Sequence, residues 1–424
     1  MHGNPKLSAK SEHVVVIGGG VIGAMSAWYL VKSGCQVTIV EQNEFGKACS
    51  HGNCGYIAPS HILPLPQPGA IKKTMAAMLK SNSPFAIKPR FSSSFVSWFW
   101  NFSRRCNHRD MMSAAEGRHQ LLQESNRLYE DLLEVDKIEC ERQTKGLLFV
   151  YDTVDDFKEF EATNRLMEEN FSVSAKAYTP EQLQEIEPAL KSGFGGAWHF
   201  ECDSHIRPDK LMQSMKTRLL EAGVEIREST KFERFRNSSS SVIGAETSSG
   251  EIEADRFVVC TGAWTPFLNH ELGCKIPIEP GKGYSITMPC PDPMPVYPII
   301  FEQSHVAITP MKSGYRIGST MEFVGYDESI NPKRLGLLRT AAEKYLKQPY
   351  AEPVEEEWYG WRPMTWDGKP VIDRSPRFDN VWVAAGHNML GLSMGTGTGK
   401  LVRDLVLGDE PTIDASHFAV SRFN

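Results

Sequence analysis

"VVVIGGGVIGAMSAWYLVKSGCQVTIVE", Val14 to Glu41, is the stretch on which the fold turns. Its first eighteen residues, Val14 to Val31, carry no charge, a length close to that of a membrane span. Three consecutive glycines near its start favour another reading. Val14 to Ile17 is a β-branched run, Gly18-Gly19-Gly20-Val21-Ile22-Gly23 a glycine-rich turn, and Ala24 to Lys32 has helical character that ends before Gly34. Val37 to Val40 is then a second buried strand, closed by Glu41. The result is a complete βαβ unit. Gly18 and Gly20 tighten the turn and let the backbone approach a pyrophosphate, while Gly23 lets helix and sheet pack closely. The helix N-terminus faces the phosphates, and Glu41 accepts from ribose hydroxyls. The unit predicts a dinucleotide, and NAD and FAD sites share it.

Two later stretches repeat the logic. "ADRFVVCTGAWTPFL", Ala254 to Leu268, is an apolar strand running into Thr261-Gly262-Ala263. Ligands of open α/β sheets bind beyond the carboxyl ends of strands, where small residues let a cofactor approach. In "NVWVAAGHNMLGLSMGTGTGKLVRDLVLG", a strand Val381 to Ala384 leads through a glycine-rich turn, Gly386 to Gly391, to a helix from about Met394 to Leu407. Its start offers unpaired N–H groups and a positive dipole end, which suits an anionic cofactor.

The 424 residues, 41% hydrophobic and 23% charged, suffice for two full cores. A net charge of −6 lacks the basic footprint of a nucleic-acid binder, so small-molecule chemistry is expected. Nine cysteines without Cys-x-x-Cys or zinc spacing read as reduced thiols, with no metal site. The opening "MHGNPKLSAKSEH" lacks the layout of a signal peptide, and a cytoplasmic protein is expected. From Phe45 to Arg109 there is no Asp or Glu, whereas nine residues are Lys or Arg, and "FVSWFWNF" (Phe95 to Phe102) is aromatic. Residues 85–106 are therefore a candidate for peripheral contact with the inner face of an anionic membrane; packing against the body of the protein is the alternative.

Between these landmarks, residues 113 to 190 read as charged helices joined by a short strand at Gly146 to Val150. A helix runs from Arg207-Pro208 to Ala222, followed by strands at Val224 to Arg227, Val242 to Glu246 and Glu251 to Cys260, with others around Val306 to Thr309 and Tyr315 to Ser319. Parallel and antiparallel pieces therefore mix. In "GWRPMTWDGKPVI", Gly360 to Ile372, Arg362 stands between two tryptophans in a largely uncharged context. A guanidinium matches a carboxylate bidentately, strongly so away from water. It either meets a ligand carboxylate or pairs with a protein acid such as Asp367 or Asp373.

Together with "SHGNCGYIAP", "EPGKGYSITM" and "GAWHFECDSHIRPDKLM", these motifs resemble the FAD-dependent D-amino-acid oxidase superfamily from about His13 to Phe418. The resemblance is closest to the D-amino-acid dehydrogenases, with glycine and sarcosine oxidases as relatives. It implies an α/β fold with a Rossmann-like FAD-binding domain of the glutathione-reductase type, discontinuous over 12–65, 200–275 and 360–424. An α+β substrate-binding domain with a mixed sheet would occupy 66–199 and 276–359. Gly18, Gly20, Val21, Ile22 and Gly23 would meet the pyrophosphate end of non-covalent FAD, Glu41 and Gln42 the adenosine ribose, and Phe232 the adenine. Ser50, Asn53, Cys54 and Gly55 would lie along the phosphate and flavin, Thr261 and Gly262 beside the dinucleotide, and Gly386, Gly391, Leu392 and Ser393 at the C2 carbonyl end of the ring. A covalent link through His51 or Cys54 is the alternative.

Arg362 matches the arginine that clamps the substrate carboxylate in glycine oxidase and its relatives. Tyr56 and Tyr284 would line the flavin face and cap the carboxylate, His305 falls where glycine oxidase has an active-site histidine, and Trp366 would shape the side-chain pocket. Ala307 stands where glycine oxidase has a carboxylate-binding tyrosine, which argues for a larger substrate than glycine. The implied reaction is oxidative deamination of a D-amino acid, with hydride passing from Cα to flavin N5 and the imine hydrolysing to a 2-oxo acid and ammonia. A cyclic substrate such as D-proline or hydroxy-D-proline is included. Electrons would pass to a quinone or carrier protein; the alternative is a glycine- or sarcosine-type oxidase that forms peroxide.

Overall fold

The computed structural model describes residues 11–72, 85–87 and 92–423. Strand His13–Ile17, helix Val21–Lys32 and strand Gln36–Val40 form the βαβ unit where the glycine pattern puts it. The helix begins earlier than Ala24, directly after an extended Gly20 at φ −74° and ψ 179°. Both strands lie inside a six-stranded sheet. Its order is Val371–Arg374, Val381–Ala385, Arg256–Val259, His13–Ile17, Gln36–Val40, Glu225–Arg227. Every neighbouring pair is parallel except the first. A parallel sheet is covered on both faces, and accordingly Val14, Val15 and Val16 are all fully buried.

Two glycines make the close approaches that the pattern implies. At Gly18, with φ +112°, a Cβ would overlap the Cys260 carbonyl of the neighbouring strand end. A Cβ on Gly23 would overlap the carbonyl of Gly18 itself. Helix Gly395–Leu407 packs against Val21–Lys32 by the same means: a Cβ on Gly399 would stand 2.6 Å from the Met25 backbone. Gly399, within the glycine-rich run that opens this helix, thus serves helix packing.

A nine-stranded mixed sheet stands beside the first. Its longest strand, Ile278–Met288, is buried throughout and pairs antiparallel with Glu356–Thr365 from Ile278↔Thr365 to Thr287↔Glu356. Arg362 therefore sits on a strand of this second sheet. The strand Gly314–Phe323 on the other side is kinked, with Ser319 at φ +102° and Thr320 at φ +53°.

Two details differ from the sequence reading. The stretch Glu251 to Cys260 is two strands in different sheets, Gly250–Glu253 and Arg256–Val259. Asp255 lies in the gap, where its amide donates to the His13 carbonyl. Strand Phe232–Ser238 went unread because its charged, exposed face hides the alternation. Of the basic, aromatic segment, Lys73, Lys80, Lys88 and Arg90 lie outside the described residues, as do residues 1–10. Helix Ser93–Arg105 buries Trp98, whose Nε1 donates to the Met364 carbonyl at 2.9 Å, beside Met321 and Trp366. Val96 and Trp100 on the same helix are each 63% exposed. Among the described residues, no helix is long and apolar enough to cross a membrane.

Gly23→Ala tests the strand-to-helix contact. Forcing a methyl into the Gly18 carbonyl should cost about 3 kcal/mol or more, read as a lower Tm together with loss of bound flavin.

Candidate active site between the sheets

A cavity of about 500 Å³ opens at the carboxyl ends of the parallel strands, where an open α/β sheet binds its ligand. Gly18, Gly20, Val21, Ile22, Glu41, Gln42, Ser50 and Asn53 line it from the first motif, and Phe232, Thr261, Gly262, Gly391 and Leu392 from later ones. The chain separations are large, and the parallel pairing of the strands brings the strand-end residues together. A Cβ on Gly20 would meet nothing nearer than Ser50 Oγ at 3.6 Å, so the backbone there is open to a ligand. Glu41 is buried, with Oε2 accepting from the Gly19 amide at 2.8 Å and Oε1 from the Asn43 amide at 2.9 Å. The carboxylate is thereby fixed at the end of its strand.

Four candidates do other work. Gly23 packs on Gly18, and a Cβ on Gly55 would overlap the Ile206 carbonyl. Gly386, at φ +79°, turns under Thr365. Ser393 Oγ accepts from the Ala58 amide and donates to the Tyr56 carbonyl, tying the C-terminal turn to the 50s loop. That loop is also gripped by Arg316, which is 1% exposed and donates to the carbonyls of His51 (2.9 Å) and Asn53 (2.7 Å). Nothing in the sequence singles out Arg316, because its contacts with this loop are to main-chain atoms 263 and 265 residues away.

A second cavity, about 230 Å³, adjoins the first. Arg362, Asn53, Cys49 and Met389 line both. Cys54, Tyr56, Tyr284, His305 and Ala307 line the smaller one, with Trp358 and Thr320, which the sequence reading did not single out. The Tyr56 hydroxyl donates to the Ile308 carbonyl at 2.9 Å, with the Ile299 carbonyl at 3.1 Å, and the Tyr284 hydroxyl to Glu322 Oε2 at 3.0 Å. Both phenols are thus engaged outside the cavity, to which they present ring surface. Trp366 packs with Trp98, Met321 and Met364 and lines neither cavity.

Arg362 Nη1 donates to the Thr320 carbonyl at 2.7 Å. Among the described residues it has no carboxylate partner: Asp367 pairs with Arg422 at 2.7 Å, and Asp373 accepts from the Val420 and Arg374 amides. Burial lowers the guanidinium's proton affinity, but arginine remains charged. Burial also pushes the Cys49 thiol up to about 11 and the Cys54 thiol upward. The His61 imidazole is lowered to about 4 and His305 is lowered too, both chiefly by burial. At neutral pH these thiols and imidazoles carry no charge, and among the described residues no Asp, Glu or Lys lines the smaller cavity.

The chain belongs to the FAD dependent oxidoreductase family (DAO), which it matches over residues 13–405. Among solved structures it is similar to glycine oxidase from Geobacillus kaustophilus, with 22% identity, TM-score 0.76, and coverage of 97% of this chain and 99% of that one. Glycine oxidase from Bacillus cereus ATCC 14579 gives 19%, 0.74, 95% and 96%. L-proline dehydrogenase from P. horikoshii gives 22%, 0.72, 97% and 98%. The family cofactor, FAD, fits the larger cavity: the open backbone at Gly20 begins a helix, and a fixed acid ends the next strand.

Glu41→Ala removes the acceptor of two amides. Losing charge-assisted bonds worth roughly 1.5–3 kcal/mol each should leave the purified protein largely colourless, read as visible absorbance per mole of protein.

Proposed function

We propose that this FAD-dependent oxidoreductase dehydrogenates small D-amino acids, cyclic ones such as D-proline or hydroxy-D-proline included, with the carboxylate held by Arg362. One observation supports the reading above the others: a half-buried guanidinium without a carboxylate partner among the described residues, set where the cofactor cavity meets a smaller one. Partial burial of a cation is costly unless an anion meets it, and a substrate carboxylate is the anion whose geometry suits it.

The residues around Arg362 add to this. Among the described residues no acid lines the smaller cavity to pair with a substrate ammonium, and the neighbouring guanidinium disfavours one. The amine is therefore held neutral, the form from which Cα can release hydride. FAD, when bound non-covalently in the larger cavity, supplies the two-electron acceptor. Fixing the carboxylate orients Cα, and orientation replaces any strong protein base. The rings of Tyr56, Tyr284 and Trp358 keep water from the reacting carbon, and the released imine hydrolyses in solution to a 2-oxo acid and ammonia. In this reading the motif residues lining the larger cavity are the FAD contacts, and electrons leave to a quinone or carrier protein. Selectivity for the D-enantiomer rests on the resemblance of the sequence motifs to D-amino-acid dehydrogenases, and the L-enantiomers in the panel below test it.

The likeness to two glycine oxidases favours a second reading, an amine oxidase reducing oxygen to peroxide. Stoichiometric peroxide in aerobic turnover would select it.

Anaerobic mixing with a panel of D-amino acids, their L-enantiomers, D-proline, hydroxyproline isomers, glycine and sarcosine tests the proposal. Rapid bleaching of the flavin by D-acids is expected, and a yellow protein that no member bleaches would refute it. Arg362→Lys should keep its flavin yet lose at least about 90% of turnover, since a point charge cannot replace the planar fork; unchanged kinetics would remove Arg362 from the site.

A further inference from the structure

The walls of the smaller cavity contain three glycines whose missing side chains are filled by two planar groups. Strands Ile278–Met288 and Glu356–Thr365 place Gly283 opposite Gly360 and Gly281 opposite Arg362. A Cβ built on Gly283 would fall nearly equally close to Nη1, Cζ and Nη2 of Arg362, well inside contact with all three. Equal closeness to three atoms of one plane means that the guanidinium lies flat across the backbone of Gly283. A Cβ on Gly360 would overlap the far edge of the Trp358 indole, at Cη2 and Cζ2, and a Cβ on Gly52 the ring-fusion side, at Cδ2 and Cε3. The indole is thus wedged between a loop glycine and a strand glycine. Trp358, Gly360 and Arg362 alternate along one strand and so share a face, and all of these residues line the smaller cavity.

We propose that Gly283, Gly360 and Gly52 are positioning residues, acting through Arg362 and Trp358, and that Trp358 is the specificity-determining wall for the substrate's carbon skeleton. The proposal rests on the carboxylate reading of Arg362 given above. Gly283 supports one face of the guanidinium, and the Thr320 carbonyl, delivered by the kink at Ser319 and Thr320, holds Nη1. Nε and Nη2 have no protein partner among the described residues, which leaves one edge of the fork for both oxygens of a carboxylate. A flat group resting on a backbone cannot tilt toward it, so the carboxylate plane is set by the shelf. The indole beside it then fixes how far a side chain can extend from Cα.

Gly281 shows that the shelf is not a general property of this strand. A Cβ there would meet Met364 Cγ at 2.8 Å, in a flexible side chain that can move aside.

The test uses FAD-loaded full-length protein as wild type, Gly283→Ala, Arg362→Ala and the double variant. Sodium acetate is titrated as a plain carboxylate, by perturbation of flavin absorbance and by competition against the amino acid that bleaches it. In Gly283→Ala, acetate affinity should fall about tenfold or more, and KM should rise while flavin content and Tm stay near wild type. In the Arg362→Ala background the same change should add nothing, because the shelf acts only through the arginine. Equal losses in both backgrounds, unchanged affinity, or a Gly283→Ala protein that fails to hold flavin would overturn the positioning role. The other seat is read separately. Trp358→Phe and Gly360→Ala should shift preference among side chains by about tenfold while acetate affinity is kept, and unchanged preference would overturn the role of Trp358. If acetate neither perturbs nor competes in the wild type, and Arg362→Ala behaves alike, the carboxylate reading itself fails, an outcome distinct from failure of the glycines alone.

Discussion

A half-buried positive charge with no carboxylate partner among the described residues is the constraint on which the site depends. Taking an ion from water costs several kcal/mol even after relaxation, and Arg362 recovers only part of that through one carbonyl. A structural arginine shows the contrast. Arg334, on the helix Pro332–Tyr345, donates to Glu322 of the second sheet, which also accepts from Tyr284. Among the described residues Arg362 has no such carboxylate, and burial raises the Cys49 and Cys54 thiols that act on it, so that they keep their protons.

Much of the surrounding architecture can be understood as holding that charge beside a dinucleotide. The parallel sheet ends where Gly18 meets the Cys260 carbonyl, and the first helix is admitted by Gly23. Arg316 and Ser393 then draw the 50s loop across to the second sheet and the C-terminal turn. Because Asn53 and Cys49 line both cavities together with Arg362, this loop couples the place where the cofactor lies to the place where the carboxylate is held. The close contacts are made by backbone and planar groups, which have few alternative arrangements, so the site is rigid by construction.

The βαβ unit was legible from sequence because each of its glycines answers to a local steric need, and an apolar run of four residues cannot be mistaken once a glycine turn follows it. The strand carrying Arg362 was not. Its partner, "IEPGKGYSITM", contains two glycines and a proline, which obscure alternation, and both its faces are buried. The polar strand Phe232–Ser238 was missed for the opposite reason, as its exposure removes the apolar signal. Arg362 itself stood out because charge is unusual between two tryptophans. Trp358 did not, since its significance lies in glycines 2 and 306 residues away along the chain. Ring-and-backbone contacts of that kind leave no periodicity to read. Tyr56 and Tyr284 were expected to line the flavin face and cap the carboxylate, and only the three-dimensional partners show their hydroxyls bonded to the Ile308 carbonyl and Glu322.

The most direct measurement is a crystal structure of the protein loaded with FAD and soaked anaerobically with the 2-oxo acid of its best substrate. This account predicts the ligand carboxylate paired side-on with Arg362 in the smaller cavity, its carbon skeleton against Trp358. A ligand carboxylate bound elsewhere, or Arg362 turned to a protein acid or to the phosphates of FAD, would contradict it.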